Sequence, residues 1–242
     1  MSNVFYAPGE QRGAKVGDLF ATIARRYDLL NDLQSFGLHR LWKRRVVSLA
    51  GVRPGDRALD LCCGTGDITF ALARQGADVT GLDFSEKMLE VAQSRLTNVK
   101  PETKKLKFIQ GDAGQIPFPD NSFDAVTMGY GLRNLPSWEA GLREMVRVAK
   151  PGGRIVVLDF GKPPNALWRS LYFTHLKCSV PLIGLLFCGR ADAYAYILES
   201  LKHYPAQFAV AEKMRELQLA EVQIVNFIGG AMAINFGKKP NT

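Results

Sequence analysis

Cysteine and histidine are scarce in this 242-residue chain, with four of the first and three of the second. Cys62 and Cys63 are adjacent and Cys178 and Cys188 stand far away, with no CxxC pair and no Cys/His cluster at zinc spacing. Neighbouring cysteines do not readily bridge each other, so reduced thiols, no metal and a cytoplasmic setting are expected. No uncharged apolar run reaches the roughly 18 residues of a spanning helix. Residues Met1–Lys15 lack the apolar stretch of a secretory leader. Internal repeats, low-complexity tracts and interleaved basic-aromatic modules are also missing, which removes solenoids, disordered chains and most nucleic-acid readers.

What is present is ordinary for a globular protein: 47% hydrophobic and 22% charged residues, enough for one large domain with a full core. Lys and Arg exceed Asp and Glu by 31 to 23, a formal charge of +8. That excess suits nucleic acid, an anionic membrane surface or plain solubility, and does not choose among them.

Apolar residues recur at helical spacing from Val16 to Ala50 (Leu19, Phe20, Ile23, then Leu38, Leu41, Trp42, Val46, Leu49), interrupted over Asn31–Gly37. Two helices joined by a turn are predicted, followed by a turn at Val52–Asp56. Strand and helix then alternate: strands Arg57–Cys62, Asp78–Asp83, Leu106–Gln110 and Phe123–Met128, with helices Asp67–Gln75, Ser85–Leu96 (Ser85 as cap) and Trp138–Ala149. Pro151-Gly-Gly153 reads as a hard stop before the strand Arg154–Phe160. Such alternation predicts an α/β fold with a mostly parallel sheet covered on both faces. From Pro163 to Pro205 the pattern is helical and aromatic-rich. Two strand-like runs then close the chain, Val222–Ile228 and Ala231–Phe236, joined by Gly229-Gly230 as in a hairpin. One domain is expected: an N-terminal helical segment (1–50), a core (51–161), a helical cap (162–210) and closing strands (211–242).

The sharpest local signal is Asp60-Leu-Cys-Cys-Gly64-Thr-Gly66-Asp67 between the first strand and its helix. Glycines there allow a tight turn and close approach of a ligand, although a bare strand-to-helix turn uses glycine too. Asp83 ends the next strand, nineteen residues after Gly64, where a carboxylate can accept from a ribose diol. A dinucleotide fingerprint wants a third small residue, and position 69 is Thr. Asp60 and Asp67 would repel phosphate but suit a ligand bearing an ammonium and a sulfonium. Gly111-Asp112-Ala113 follows the third strand, where an Asp can meet an adenine amino group.

Together these loops resemble those of class I S-adenosylmethionine-dependent methyltransferases. The resemblance implies a Rossmann-like seven-stranded sheet whose last strand runs antiparallel, and S-adenosylmethionine as cofactor. More narrowly, Tyr27-Asp28, Asn31, Ser35, His39 and Trp42, with Gly131-Leu-Arg-Asn134, Arg147–Gly153 and Tyr194–Pro205, resemble the ubiquinone/menaquinone biosynthesis C-methyltransferases of the UbiE type. The likeness runs from about Val16 to the closing hairpin. Carried over position by position, it implies cofactor contacts from Asp60, Gly64, Thr65, Gly66, Thr69, Asp83, Phe84, Met88, Asp112, Ala113 and Gly129. It implies transfer of a methyl group to a ring carbon of a prenylated quinol: demethylmenaquinol, a polyprenyl methoxy-benzoquinol or demethylphylloquinol. Two departures stand out: Asp159-Phe-Gly161 where the family usually has Glu-x-Ser, and Leu30 where Met is common. The Asp form resembles sequences from photosynthetic lineages.

A quinone ring is an electrophile, so the acceptor must be the reduced quinol, whose hydroxyls resemble tyrosine with a pKa of roughly 10. A cation or hydrogen-bond donor at that oxygen raises the ring's nucleophilicity, a role for Arg133 with Asn134 as its orienting partner. Arg133 can equally form an ion pair holding its loop, with Asp67 as partner. The ring must lose a proton after transfer, and His39, Tyr27, Asp28 and Asp67 are candidate bases. His175 lies among apolar residues and reads as packing or interface. The segment Leu167–Gly189, broken at Pro181, can line a tunnel for an isoprenoid tail or rest on headgroups. Arg40, Lys43, Arg44 and Arg45 would favour an anionic surface, placing the protein peripherally on the inner face of a membrane. A homodimer is compatible with the sequence. Competing readings are a small-molecule O- or N-methyltransferase and a non-catalytic scaffold of quinone synthesis. A nucleic-acid methyltransferase is disfavoured, because Tyr130-Gly-Leu-Arg-Asn134 stands where an Asn-Pro-Pro-Tyr-like run is expected.

Overall fold

The computed structural model describes residue 24 and residues 27–97, 105–188 and 192–241; the side chains at 30 and 180–197 stand outside that description. The expected helical stretch Val16–Ile23, the side chain of Leu30 and those of Tyr194 and Tyr196 therefore lie outside the described residues.

A hairpin of helices comes first: α1 (Tyr27–Ser35) and α2 (Leu38–Ala50). Asn31–Ser35 is thus helical, and only Phe36 and Gly37 form the turn. The polar residues that read as turn formers bond within the hairpin instead. Ser35 Oγ donates to the Asn31 carbonyl at 2.6 Å, and the Gly37 N–H closes on Asp32 O at 2.9 Å. Left-handed φ at Phe36 (50°) and Gly37 (75°) reverses the chain.

The core alternates β1 (Arg57–Leu61), α3 (Asp67–Ala73), β2 (Asp78–Asp83), α4 (Glu86–Leu96), β3 (Leu106–Gln110), β4 (Phe123–Gly129), α5 (Trp138–Val148) and β5 (Ala149–Phe160). Ser85 caps α4 as its sequence implied, accepting from the Met88 N–H. The cap is α6 (Ala166–Cys188) and α7 (Asp192–His203), followed by α8 (Ala206–Glu216), β6 (Ala220–Phe227) and β7 (Met232–Lys238). The expected division at residue 210 falls inside α8. Helix α6 also runs through Pro181, absorbing the loss of one backbone hydrogen bond rather than ending there. His175 on α6 is exposed, with the Ser179 hydroxyl bonded to its carbonyl at 2.7 Å, so it is not a packing residue.

The seven strands lie in the order β3-β2-β1-β4-β5-β7-β6. β1 to β5 are mutually parallel, and β7 runs antiparallel between β5 and β6, as the glycine-joined hairpin predicted. The central strands are buried on both faces, which is why Ile155, Val156, Val157 and Leu158 form a continuous apolar run. One face packs Leu132, Leu142, Met145 and Val210; the other packs Trp42, Val46, Ile68 and Leu72. Pro151-Gly-Gly153 is not a stop. β5 passes through it as a bulge: Phe123 pairs with Ala149 and Ala125 with Arg154, so Asp124 faces the excursion Lys150–Gly153. Gly152, at φ 76°, bonds back to Lys239 O at 2.9 Å, keeping the ladder satisfied where the turn signal is strongest.

Candidate active site

β1 and β4 are neighbours at the middle of the sheet, and the chain leaves them toward opposite halves. The crevice beyond their carboxyl ends is where open α/β sheets bind ligands. The Asp60–Asp67 loop leaves β1 there, turning through left-handed Cys62 (φ 51°), Gly64 (55°) and Gly66 (88°). A Cβ at Gly66 would meet both Phe70 and Phe108 at 2.9 Å, so this position requires glycine on steric and conformational grounds.

Two carboxylates frame the loop. Asp60 is buried, and its oxygens accept from Thr69 Oγ1 at 2.6 Å and Thr127 Oγ1 at 2.8 Å. Burial pushes its carboxyl up to about 6 against those hydroxyls. Asp83 accepts the Gly64 N–H at 2.8 Å on one oxygen and the Ser85 N–H at 2.9 Å on the other. It thereby fixes the loop while standing at the end of β2, and burial raises its carboxyl. Met88 is buried beneath Gly64, Phe84 is exposed beside Asp83, and Ala113 is in the core next to exposed Asp112. Asp112 accepts from the Gly114 N–H at 2.7 Å. These residues lie around the ends of β1, β2 and β3, so the expected cofactor set is brought to one edge of the sheet.

The N-terminal hairpin closes this edge by charge. Lys43 Nζ meets Asp67 at 2.7 Å, and Arg95 NH2 meets the other Asp67 oxygen at 2.8 Å. Burial opposes ionisation of Asp67, but the two cations outweigh it and hold the carboxyl at about 2. Arg95 NH1 also donates to the Thr65 carbonyl at 2.8 Å, and Thr65 Oγ1 donates to Asp28 at 2.8 Å. Lys43, expected on the basic surface, is therefore buried and faces inward; of its neighbours, Arg40 is tied to Asp32 while Arg44 and Arg45 are exposed. Lys43, Arg95 and Thr127 are site residues that sequence reading did not assign. Lys43 had a usable signal, since it shares the helical face of His39, Trp42 and Val46.

Arg133 and Asn134 sit in a 3₁₀ turn after β4. Arg133 does not pair with Asp67, which Lys43 and Arg95 have taken. Its NH1 donates to Asp159 at 2.7 Å, its backbone N–H reaches the other Asp159 oxygen at 3.0 Å, and both side chains are buried. Asp159, at the end of β5, lies on the strand hydrogen-bonded to β4, so the pair forms across adjacent strands. Arg133 NH1 and Asn134 Nδ2 also converge on the Tyr130 carbonyl at 2.7 and 3.1 Å. The guanidinium stacks 4.7 Å over the Phe160 ring.

A narrow cleft opens between these parts, walled by Gly64, Thr65 and Asp67 on the loop, Tyr27 and Lys43 on the hairpin, and Gly129 at the end of β4 with Tyr130 just after it. Burial raises the Tyr27 hydroxyl, which keeps it protonated. His39 is elsewhere: it is buried in the hairpin with Nε2 2.8 Å from Asp32, and burial lowers its pKa.

The ubiE/COQ5 methyltransferase family matches residues 9–239. The chain belongs to that family. It is 42% identical over 235 residues to a demethylmenaquinone methyltransferase of Desulfitobacterium hafniense, covering 96% of this chain and 92% of that one. It is 43% identical over 236 residues to the ubiquinone/menaquinone biosynthesis C-methyltransferase UbiE of Ectopseudomonas mendocina, with the same coverages. A solved S-adenosylmethionine-dependent methyltransferase from Aquifex aeolicus shares the fold, with a TM-score of 0.56 at 17% identity over 81% of this chain and 88% of that one. The donor set fits the cofactor of such a methyltransferase. A glycine-turned loop without a phosphate-binding third glycine lies beside buried Asp60 and strand-end Asp83, acids suited to an ammonium and a ribose diol.

Proposed function

We propose that this member of the family methylates a ring carbon of a prenylated quinol, using S-adenosylmethionine. The observation that carries the reading is the meeting, at one switch point, of the glycine loop with its acids and the Tyr130–Asn134 turn braced by Arg133 and Asp159. When bound, the cofactor supplies an electrophilic methyl group on a sulfonium. Asp83 and the Gly64–Gly66 backbone would hold its ribose side, Asp60 would attract its ammonium, and Asp112 with Phe84 would border its adenine. The relatives named for demethylmenaquinone and for ubiquinone/menaquinone support the quinol class of acceptor.

The chain's own residues then have three tasks. Arg133 lends positive potential to the acceptor side, favouring the ionised quinol whose ring carbon is nucleophilic; Asp159 and Phe160 fix the guanidinium so that it need not reorganise. Asn134 supports the same turn. The ring proton released after transfer is strongly acidic, because its loss restores aromaticity, so a weak base suffices. Asp67, kept ionised on the cleft wall, meets that need better than neutral Tyr27 or remote His39. The α1–α2 hairpin, drawn onto the loop by Lys43 and Arg95, excludes water from a reactive quinolate.

A membrane contact belongs to the same reading. Phe36 (85% exposed), Leu38 and Leu41 form an exposed apolar stripe at the hairpin tip, continued by exposed Arg45. Apolar side chains beside arginines suit an anionic lipid interface. Among the described residues no helix is long and apolar enough to cross a membrane. The deciding experiment is single-turnover transfer from labelled S-adenosylmethionine to reduced and oxidised demethylnaphthoquinones and a polyprenyl methoxybenzoquinol. Label on a ring carbon of reduced lipid alone is expected; label on oxygen, or none despite cofactor binding, would sink the reading.

A further inference from the structure

Tyr130 is the residue by which the chain leaves β4. Its φ of 63° is left-handed, a conformation that side chains larger than glycine avoid. Three hydrogen bonds hold it there. Its N–H reaches Leu158 O at 2.7 Å, and its carbonyl accepts from Arg133 at 2.7 Å and Asn134 at 3.1 Å. The ring is braced as well, 6.0 Å from that of Phe160. So much support ends in a hydroxyl that is buried and has no hydrogen-bond partner among the described residues, on a residue that is 9% exposed and walls the cleft. A phenylalanine would fill the same space without leaving a buried polar atom unsatisfied, so packing does not account for the oxygen.

We infer that Tyr130 donates its hydroxyl hydrogen bond to a ring oxygen of the aromatic acceptor and thereby sets the ring's orientation against the methyl donor. The inference rests on the reading of the cleft as a quinol site. A quinol carries two oxygens on opposite edges of its ring, and once buried each needs a partner. Arg133 serves one side of the acceptor, with its NH1 already shared between Asp159 and the Tyr130 carbonyl. Tyr130 supplies the second contact. Burial keeps its hydroxyl well above the usual tyrosine range, so it remains an O–H donor at working pH. Tyr27, Asp159, Arg133 and Asp67 are the charged or titratable groups around it. In the free protein the hydroxyl is a liability, and binding relieves it together with the acceptor's own buried oxygen.

The test is Tyr130→Phe in the full chain, read three ways. Melting temperature should rise by about 2–4 °C, since an unsatisfied hydroxyl is removed. Affinity for S-adenosylhomocysteine should not change. kcat/KM for a reduced prenyl naphthoquinol should fall at least about tenfold. In the wild type, an inhibitory prenylated naphthol with two ring hydroxyls should bind about tenfold better than its one-hydroxyl analogue, and the variant should lose that preference. An unchanged kcat/KM, a surviving preference, a lower melting temperature or weakened S-adenosylhomocysteine binding would each overturn the inference. Failure of the wild type to methylate any quinol would instead overturn the functional reading beneath it.

Discussion

Lys43 Nζ lies 2.7 Å from Asp67 Oδ2, joining the inner face of α2 to the first residue of the helix behind the glycine loop. The lysine side chain is 11% exposed and the aspartate 25%, so solvent screens the pair only partly. Arg95 takes the second oxygen, which makes the carboxylate the knot between the N-terminal hairpin, the loop and α4.

Lys43→Met should therefore loosen the hairpin without unfolding the protein, because Arg95 still neutralises Asp67. The expected loss is about 1–2 kcal/mol, measured as a lower urea midpoint at neutral pH with an unchanged m-value. The sign of the acid response follows from a carboxyl lowered from 3.8 to about 2. Its stabilising contribution is complete above 3.8 and is lost as pH falls through 2. The variant should show a smaller loss across that window.

Asp60 behaves in the opposite sense. Burial raises it from 3.8 to about 6, so between those values the folded protein holds a proton that the unfolded chain has released. Stability from this group declines as pH rises through the window, by on the order of 2–3 kcal/mol. A cationic ammonium arriving beside it favours the carboxylate. Cofactor affinity should thus rise with pH through about 6, with proton release on binding. Calorimetry in buffers of different ionisation enthalpy reads this directly, and Asp60→Asn should abolish the release.

Arg133 and Asp83 should separate acceptor chemistry from cofactor binding. Arg133→Ala leaves Asp159 buried without its guanidinium, a loss of about 3–5 kcal/mol, so the informative comparison is with Arg133→Met/Asp159→Leu, which removes both charges. Both variants should retain cofactor affinity and lose at least about a hundredfold in kcat, roughly 2.7 kcal/mol. Asp83→Ala should do the reverse. It frees the Gly64 and Ser85 N–H groups and should weaken cofactor binding about a hundredfold by titration calorimetry. If Arg133→Met/Asp159→Leu lost cofactor affinity first, the acceptor role would be wrong.

The contrast between Asp83 and Lys43 shows what a sequence can disclose. Asp83 stands at a strand end, at a fixed offset from a glycine loop, and the strand Asp78–Asp83 is bounded by its own pattern; position along the chain already places it in the crevice. Lys43 and Asp67 are 24 residues apart, Arg95 and Asp67 28, Arg133 and Asp159 26. Such pairings depend on how separate elements dock, which no local period encodes. Arg133 could therefore be identified as important and still be given the wrong acid. Pro151-Gly-Gly153 misleads for a related reason: turn residues mark a local excursion, whereas the strand continues because β4 pairs with β5 on either side of the bulge. Tyr130 was visible only as a letter in a motif, since neither its positive φ nor its unpartnered hydroxyl has a sequence signature.

The hairpin tip offers the last test, because there the chain exposes what folding would normally hide. Phe36 occupies a left-handed turn at 85% exposure, and Leu38, Leu41 and Arg45 follow at the spacing of one helical face, beside the face that buries Trp42 and Val46. None of these exposed side chains supports the core, so changing them should leave stability within about 0.5 kcal/mol. Phe36→Asp with Leu41→Asp removes the apolar wedge and adds charge that an anionic surface repels. Flotation with vesicles of anionic and zwitterionic lipid should show the parent bound to the anionic set alone, and the double variant free of both. Activity on a short-chain, water-dispersed quinol should survive in that variant while activity on a long-chain quinol embedded in vesicles falls at least about tenfold. Equal loss on both acceptors would mean that the tip shapes the cleft rather than meeting lipid.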